Sequence, residues 1–185
     1  MKKIAIIYHS SSGHTEVVAN TILEGAQSVK GITTKIFKAT DLTRENITDL
    51  NDFDAIIFGC PTYMGSVSAP FKKFMDDSGG VWLKRGWKNK IAAGFTSSGS
   101  ASGDKLNTLI QISIFAAQHA MIWVGNEDKP SSKSDENMDN FGSYLGLMTQ
   151  THSDKNSRTT LYKRDSQTAK EFGARVAELT LKFNN

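Results

Sequence analysis

The 185-residue chain contains a single cysteine, Cys60, which excludes an intrachain disulfide and has no partners at metal-ligand spacing. It lacks any apolar run near the ~20 residues of a membrane span, and its N-terminus lacks the apolar core and cleavage site of a signal peptide. A soluble, cytoplasmic protein is expected. Excess charge of either sign is also missing: 22 Lys and Arg face 19 Asp and Glu, for a net +3, and the positives are dispersed. No basic stripe favours a nucleic-acid partner. Two nucleotide signatures are absent as well, the lysine of a Walker loop and the Gly-x-Gly-x-x-Gly of a dinucleotide fold. Without repeats or linker-like boundaries, the length suits a single domain with a substantial core.

What is present is a strand–turn–helix pattern at the start of the chain. The apolar strand read over 3–8 empties into Ser10, Ser11, Ser12, Gly13, His14 and Thr15, and a helix is read over 14–28. Free N–H groups and the positive dipole end of such a helix make an anion site, and neutral hydroxyls beside it suit a phosphomonoester. A hydroxyl-capped βα turn with no ligand uses the same residues.

Two later strand ends repeat the style. The strand at 54–59 runs into Pro61, Thr62, Tyr63, Met64 and Gly65, and the strand at 90–96 into Ser97, Ser98 and Gly99. Further strands are read at 32–37 and 120–124, and helices at 69–76, 104–118 and 166–182. Near-continuous apolar strands alternating with helices imply right-handed crossovers and a parallel sheet. In such a sheet the three loops share the carboxyl edge, where ligands bind. The crossover between strands two and three is short or irregular, with only Leu42 to Leu50 able to form a helix. A polar excursion at 126–165 is long for a compact domain and is either functional or a subunit contact; the apolar residues between Asn137 and Met148 pack part of it.

Four segments together resemble the flavodoxin-like FMN proteins, and more closely the WrbA-type NAD(P)H:quinone oxidoreductases. Tyr8 to Thr15 is similar to the family's FMN-phosphate loop and Gly59 to Phe71 to the loop beside the isoalloxazine. Gly79 to Lys90, leading into Phe95 to Ser100, is similar to the next loop, and Ala117 to Met121 to the stretch holding an active-site histidine. The resemblance implies an α/β, flavodoxin-like, doubly wound five-stranded parallel sheet of order 2-1-3-4-5, with FMN at the carboxyl ends of strands one and three. The chain departs from the family where Tyr63 and Met64 follow Pro61-Thr62, and over Lys129 to Thr160.

By this resemblance Ser10, Ser12, Gly13, His14 and Thr15 hold the phosphate. A dianion there would raise the pKa of His14, which makes it a phosphate neighbour rather than a catalyst. Pro61 to Gly65 run along the flavin, where backbone N–H groups tune its electronics. Tyr63 either stacks on the ring or is an exposed loop aromatic, and Ser97, Ser98 and Gly99 contact the ribityl chain or pyrimidine edge. Trp82 is read as a pocket wall, in this family reaching a neighbouring subunit, and Trp87 as core. His119 is the catalytic candidate, donating a hydrogen bond to a quinone oxygen or to the flavin O2. Cys60 is read as a buried small hydrophobe. The activity implied is two-electron quinone reduction by NAD(P)H in a ping-pong cycle, in a homodimer or homotetramer. The alternatives are a flavodoxin-type electron carrier, an azo- or nitro-compound reductase, and a flavin-free regulatory domain; the sequence pI of 8.9 argues against a carrier that steers by negative charge.

Overall fold

The computed structural model describes residues 1–127, 141–151 and 161–183. Strand β1 (Lys2–Tyr8) lies between β2 (Ile32–Lys38) and β3 (Ala55–Tyr63), and β3 is followed in the sheet by β5 (Ile91–Ser98); every one of these pairings is parallel. The fifth position is shared by two short parallel segments. Strand β6 (Ile122–Trp123) pairs with Ile91 and Ala92, and β7 (Leu147–Gln150) pairs with Phe95 to Ser98. The five-position order is the 2-1-3-4-5 that the resemblance implies.

Alternation along β1 shows why the sheet needs cover on both faces. Ile4, Ile6 and Tyr8 point to one side and Ala5 and Ile7 to the other, and all are buried. Helices α1 (His14–Gln27) and α5 (Lys163–Lys182) pack on the first face through Val18, Ile22, Phe172 and Val176. The second is closed by α2 (Ala69–Asp77), α3 (Gly79–Leu83) and α4 (Lys105–Gln118), whose Phe71, Phe74 and Phe115 surround Phe58 and the fully buried Trp87. Their rings meet edge-on, tilted or, for Phe74 and Trp87, stacked, at centroid separations of 5.4–6.3 Å, within the range aromatic pairs favour.

Several boundaries differ from the sequence reading, each for a physical reason. The strand expected over 120–124 is only two residues long, because its upper half comes from Leu147–Gln150 inside the stretch read as polar excursion. Leu147, Met148 and Thr149 are buried, but three such residues in a polar context give no periodic signal. The neck of the excursion is closed by Asn126 N–H donating to the Tyr144 carbonyl at 3.0 Å and Trp123 Nε1 donating to that of Leu145 at 2.8 Å. Of the apolar stretch at 137–148, residues 137–140 lie outside the described residues. Between β2 and β3 the chain forms two 3₁₀ turns, Ala39–Asp41 and Ile47–Asp52, instead of a helix. Gly79–Leu83, read as loop, is helical. Among the described residues no helix is long and apolar enough to cross a membrane.

Candidate functional site

The carboxyl ends of β1, β3 and β5 open onto a cleft of about 670 Å³. From the first loop it is lined by Ser11, Ser12, His14 and Thr15, from the second by Pro61 to Met64, and from the third by Ser97 to Ser100, with Asp104 and Thr151 completing the wall. The topology thus brings the three hydroxyl-rich loops together. Ser10 and Gly13 stand just behind the lining: the Ser10 hydroxyl accepts the Gly13 N–H at 3.0 Å, which shapes the turn. Gly13 has φ 95°, and α1 starts there with no side-chain cap. Its first-turn N–H donors are therefore presented to whatever anion enters the cleft.

The second loop is a hairpin. Thr62 and Tyr63, at the end of β3, pair antiparallel with β4 (Ser66–Val67) around Met64 and Gly65, whose φ values are 49° and 74°. Two successive left-handed residues are the signature of a tight hairpin turn. A Cβ on Gly65 would stand 3.1 Å from Asp104 Oδ2, so the hairpin tip and the start of α4 sit as close as a glycine allows. Asn107 Nδ2 donates to the Gly65 carbonyl at 2.6 Å, and Ser66 Oγ donates to Gln111 Oε1 at 2.8 Å. The turn leaves Tyr63 half exposed and Met64 fully exposed at the rim.

Beneath this rim runs a directed hydroxyl chain. Thr96 Oγ1 donates to the Cys60 carbonyl at 2.8 Å, which obliges Thr62 to donate to Thr96 and Thr108 to donate to Thr62, each at 2.8 Å. Thr15 and Ser97 share a further buried hydroxyl bond of 2.7 Å, tying the first loop to the third. Ser98 is the exception: its Oγ is buried and has no partner among the described residues. That hydroxyl is open to bond a ligand entering the cleft. Cys60 lies below the site, fully buried, and burial pushes its thiol up to about 12, so it remains a neutral thiol.

Two expected residues are not in this cleft. His119 and Trp82 line a separate hollow of about 290 Å³ with Met75, Ser78, Gly79 and Phe115. Helix α4 runs antiparallel to the strands, so its 14 residues carry the chain about 21 Å from Asp104 at the cleft to His119. The register agrees: β6, just after His119, pairs with the first residues of β5, while Ser97 and Ser98 are its last. His119 therefore lies outside the cleft formed by its own chain. His119 is buried, its ring 4.3 Å from that of Trp87 and its Nε2 2.9 Å from Ser78 Oγ, and burial pushes its pKa down to about 4.

Sequence reasoning missed Ser100, Asp104 and Thr151 as lining. Ser100 and Asp104 continue the third loop and were within reach of the strand-end argument. Thr151 was not, because it arrives from within the polar excursion, where its N–H donates to the Ser98 carbonyl at 2.9 Å.

The fold agrees with known proteins. The family described as NADPH-dependent FMN reductase matches residues 2–127. Flavodoxin FldP of Pseudomonas aeruginosa (strain UCBPP-PA14) is 36% identical over 182 residues, covering 97% of each chain. A flavodoxin, WrbA-like protein from Agrobacterium tumefaciens superposes with a TM-score of 0.75 at 34% identity over the full length of both chains. A flavodoxin from the domain Archaea shares the fold at 22% identity, with a TM-score of 0.66 over 97% of this chain and 99% of its own. The chain belongs to the NADPH-dependent FMN reductase family of flavodoxin-like FMN proteins.

Proposed function

We propose that this protein is an FMN-dependent NAD(P)H:quinone oxidoreductase whose cofactor occupies the three-loop cleft. The observation that carries the reading is the donor set: an uncapped helix N-terminus, hydroxyls on all three loops and the unpartnered Ser98 Oγ converge on one cavity. FMN held in this cleft would supply two-electron redox chemistry between NAD(P)H and a quinone in a ping-pong cycle, while the surrounding residues orient it and govern access. Ser10, Ser12, Gly13, His14 and Thr15 hold the phosphate at the dipole end of α1. Pro61 to Gly65 present backbone along the ring, with Tyr63 and Met64 as an apolar rim for a planar acceptor. Ser97, Ser98 and Gly99 close the remaining edge. Trp82, half exposed on α3, serves as a pocket wall only if a neighbouring copy docks over it, and the same assembly is what a role for His119 requires.

A second reading, an electron carrier without small-molecule turnover, is favoured by the name flavodoxin on the Pseudomonas relative and by the removal of His119 from its own chain's cleft. The two readings separate in one experiment. Purified apo-protein is titrated with FMN by flavin fluorescence, then supplied with NADH or NADPH and benzoquinone. Saturable binding with steady quinone-dependent NAD(P)H oxidation supports the reductase. Binding without turnover supports the carrier, and absence of binding refutes both.

A further inference from the structure

Helix α4 opens with a lysine where its own dipole repels one. Lys105 is the first residue of the helix, beside N–H groups that disfavour a cation, and it is fully buried, a rare state for an ammonium that is not tightly bonded. A local rule broken in this way points to function. Its Nζ donates to the carbonyls of Ser100 at 2.7 Å and Ala101 at 3.0 Å and lies 5.0 Å from the Phe141 ring centroid. The carbonyl before these, that of Gly99, accepts Gln150 Nε2 at 3.1 Å.

Three successive carbonyls of the cleft loop are therefore turned toward side chains behind it. In a trans peptide the next N–H points the opposite way, and no peptide here is cis. The N–H groups of Ser100, Ala101 and Ser102 consequently point away from those side chains, on a loop whose Gly99 and Ser100 line the cleft. Gln150 is itself fixed, its N–H donating to Asp165 Oδ2 at 2.7 Å, while Arg164 Nε pairs with Asp165 Oδ1 at 3.2 Å. Arg164 also lies over Phe141, at 5.3 Å.

We propose that Lys105 is a positioning residue for the cofactor: with Gln150 it pins the Gly99–Ala101 carbonyls inward so that the following N–H groups face the cleft, and its positive charge behind that wall favours the reduced, more negative FMN over the oxidised form. This rests on the FMN reading above. The charged groups facing Lys105 are Asp165 and Arg164 from α5; the preceding residue, Asp104, lies against Gly65 of the hairpin. Strand β7 offers the neutral Gln150, and the segment leading into it offers the Phe141 ring. Burial, with Arg164 adding and Asp165 opposing, lowers the ammonium pKa to about 8. The charge is thus present at neutral pH and lost as pH rises through that value.

The test compares wild type with Lys105→Met and Lys105→Arg. Dissociation constants for oxidised and for anaerobically reduced FMN are measured by fluorescence between pH 6.5 and 9.5, and amide hydrogen exchange over 99–103 is followed in the FMN-free protein. The reduced-over-oxidised preference of wild type is expected to fall on the order of tenfold relative to Lys105→Arg as pH passes about 8. Lys105→Met lacks that preference throughout and exchanges faster at 99–103. Should Lys105→Met fold poorly, the pH profile of wild type against Lys105→Arg decides alone. A preference equal in all three proteins at every pH overturns this inference and leaves FMN binding standing. Wild type that binds no FMN overturns the flavin reading and this inference with it.

Discussion

Lowering the pH from 7 to 5 should destabilise this protein through His119, and the structure sets the size of the effect. Ser78 Oγ donates its single hydrogen to the Met75 carbonyl at 2.7 Å, so toward His119 it can only accept. The imidazole therefore carries its proton on Nε2, and Nδ1 is a bare lone pair, buried and without a partner among the described residues. Protonation would place an N–H cation against Trp87 and Phe115 with no acceptor, which is why burial pushes the pKa down to about 4 from an ordinary ~6.5. The folded value lies below the unfolded one. Between pH 6.5 and 4 the unfolded chain thus binds a proton that the folded chain refuses, and stability falls as pH falls through that window.

With those two values the loss between pH 7 and 5 is about 2 kcal/mol. His9, whose pKa burial also lowers, adds to the slope in the same direction, so the measurement must be a difference. Urea unfolding of wild type and His119→Gln at both pH values isolates the term, because glutamine keeps a donor for Ser78 but does not titrate. The variant should lose about 2 kcal/mol less than wild type on acidification. Equal losses in the two proteins, or a His119 imidazole midpoint near 6.5 by nitrogen-15 NMR, would refute the argument. Either would mean that the indole face of Trp87 stabilises the imidazolium more than desolvation opposes it.

Other perturbations follow from single contacts. Ser98→Ala should leave the apo-protein as stable or more stable, since it removes a buried hydroxyl with no partner, yet weaken FMN binding about tenfold; lower apo stability with unchanged affinity would show that Ser98 is not kept for a ligand. Thr62→Val breaks both hydroxyl bonds at the hairpin base and should cost ~1–3 kcal/mol by urea unfolding, whereas a neutral result would mean that Thr96 and Thr108 re-pair with each other. Gly59→Ala drives a methyl to within 2.1–2.4 Å of the buried Phe95 ring and should cost at least ~1–3 kcal/mol, with a wild-type urea midpoint as the contrary outcome.

Much of this architecture was legible because apolar continuity and loop chemistry report the same thing from different ends. Ile4 to Tyr8, Ala55 to Cys60 and Ile91 to Thr96 are each too uniformly apolar to face water on either side, which dictates a covered parallel sheet. Their hydroxyl-rich exits must then share an edge. His119 illustrates what residue similarity leaves open. Its neighbours suggested a role at the flavin, but a helix that starts at the carboxyl edge must end at the other, a constraint of topology that residue similarity does not carry. The clamp behind the third loop was illegible for a third reason: Phe141, Gln150, Arg164 and Asp165 lie on both sides of segments with no periodicity, and only tertiary structure shows that they converge on Lys105.

That convergence also accounts for the split edge strand. A continuous strand after His119 would complete the sheet beside β5, but it would bring only the residues next to Val124 to the cleft. Breaking the strand after Trp123 and resuming it at Leu147 lets a different stretch of chain take the position beside Phe95 to Ser98. The substitution installs Gln150 on the Gly99 carbonyl, Thr151 on the Ser98 carbonyl and Phe141 against the Lys105 ammonium. Gln150 and Thr151 act on the carbonyls of the loop directly and Phe141 through Lys105, leaving the following N–H groups free. The cleft itself can then stay almost entirely neutral at its surface, with hydroxyls and amides for recognition, while a cation sits one layer deeper. A charge in that position is shielded from solvent ions and counterions, which screen exposed charges far more effectively than buried ones. It therefore acts on the charge state of whatever the cleft holds without offering a contact that every anion could use.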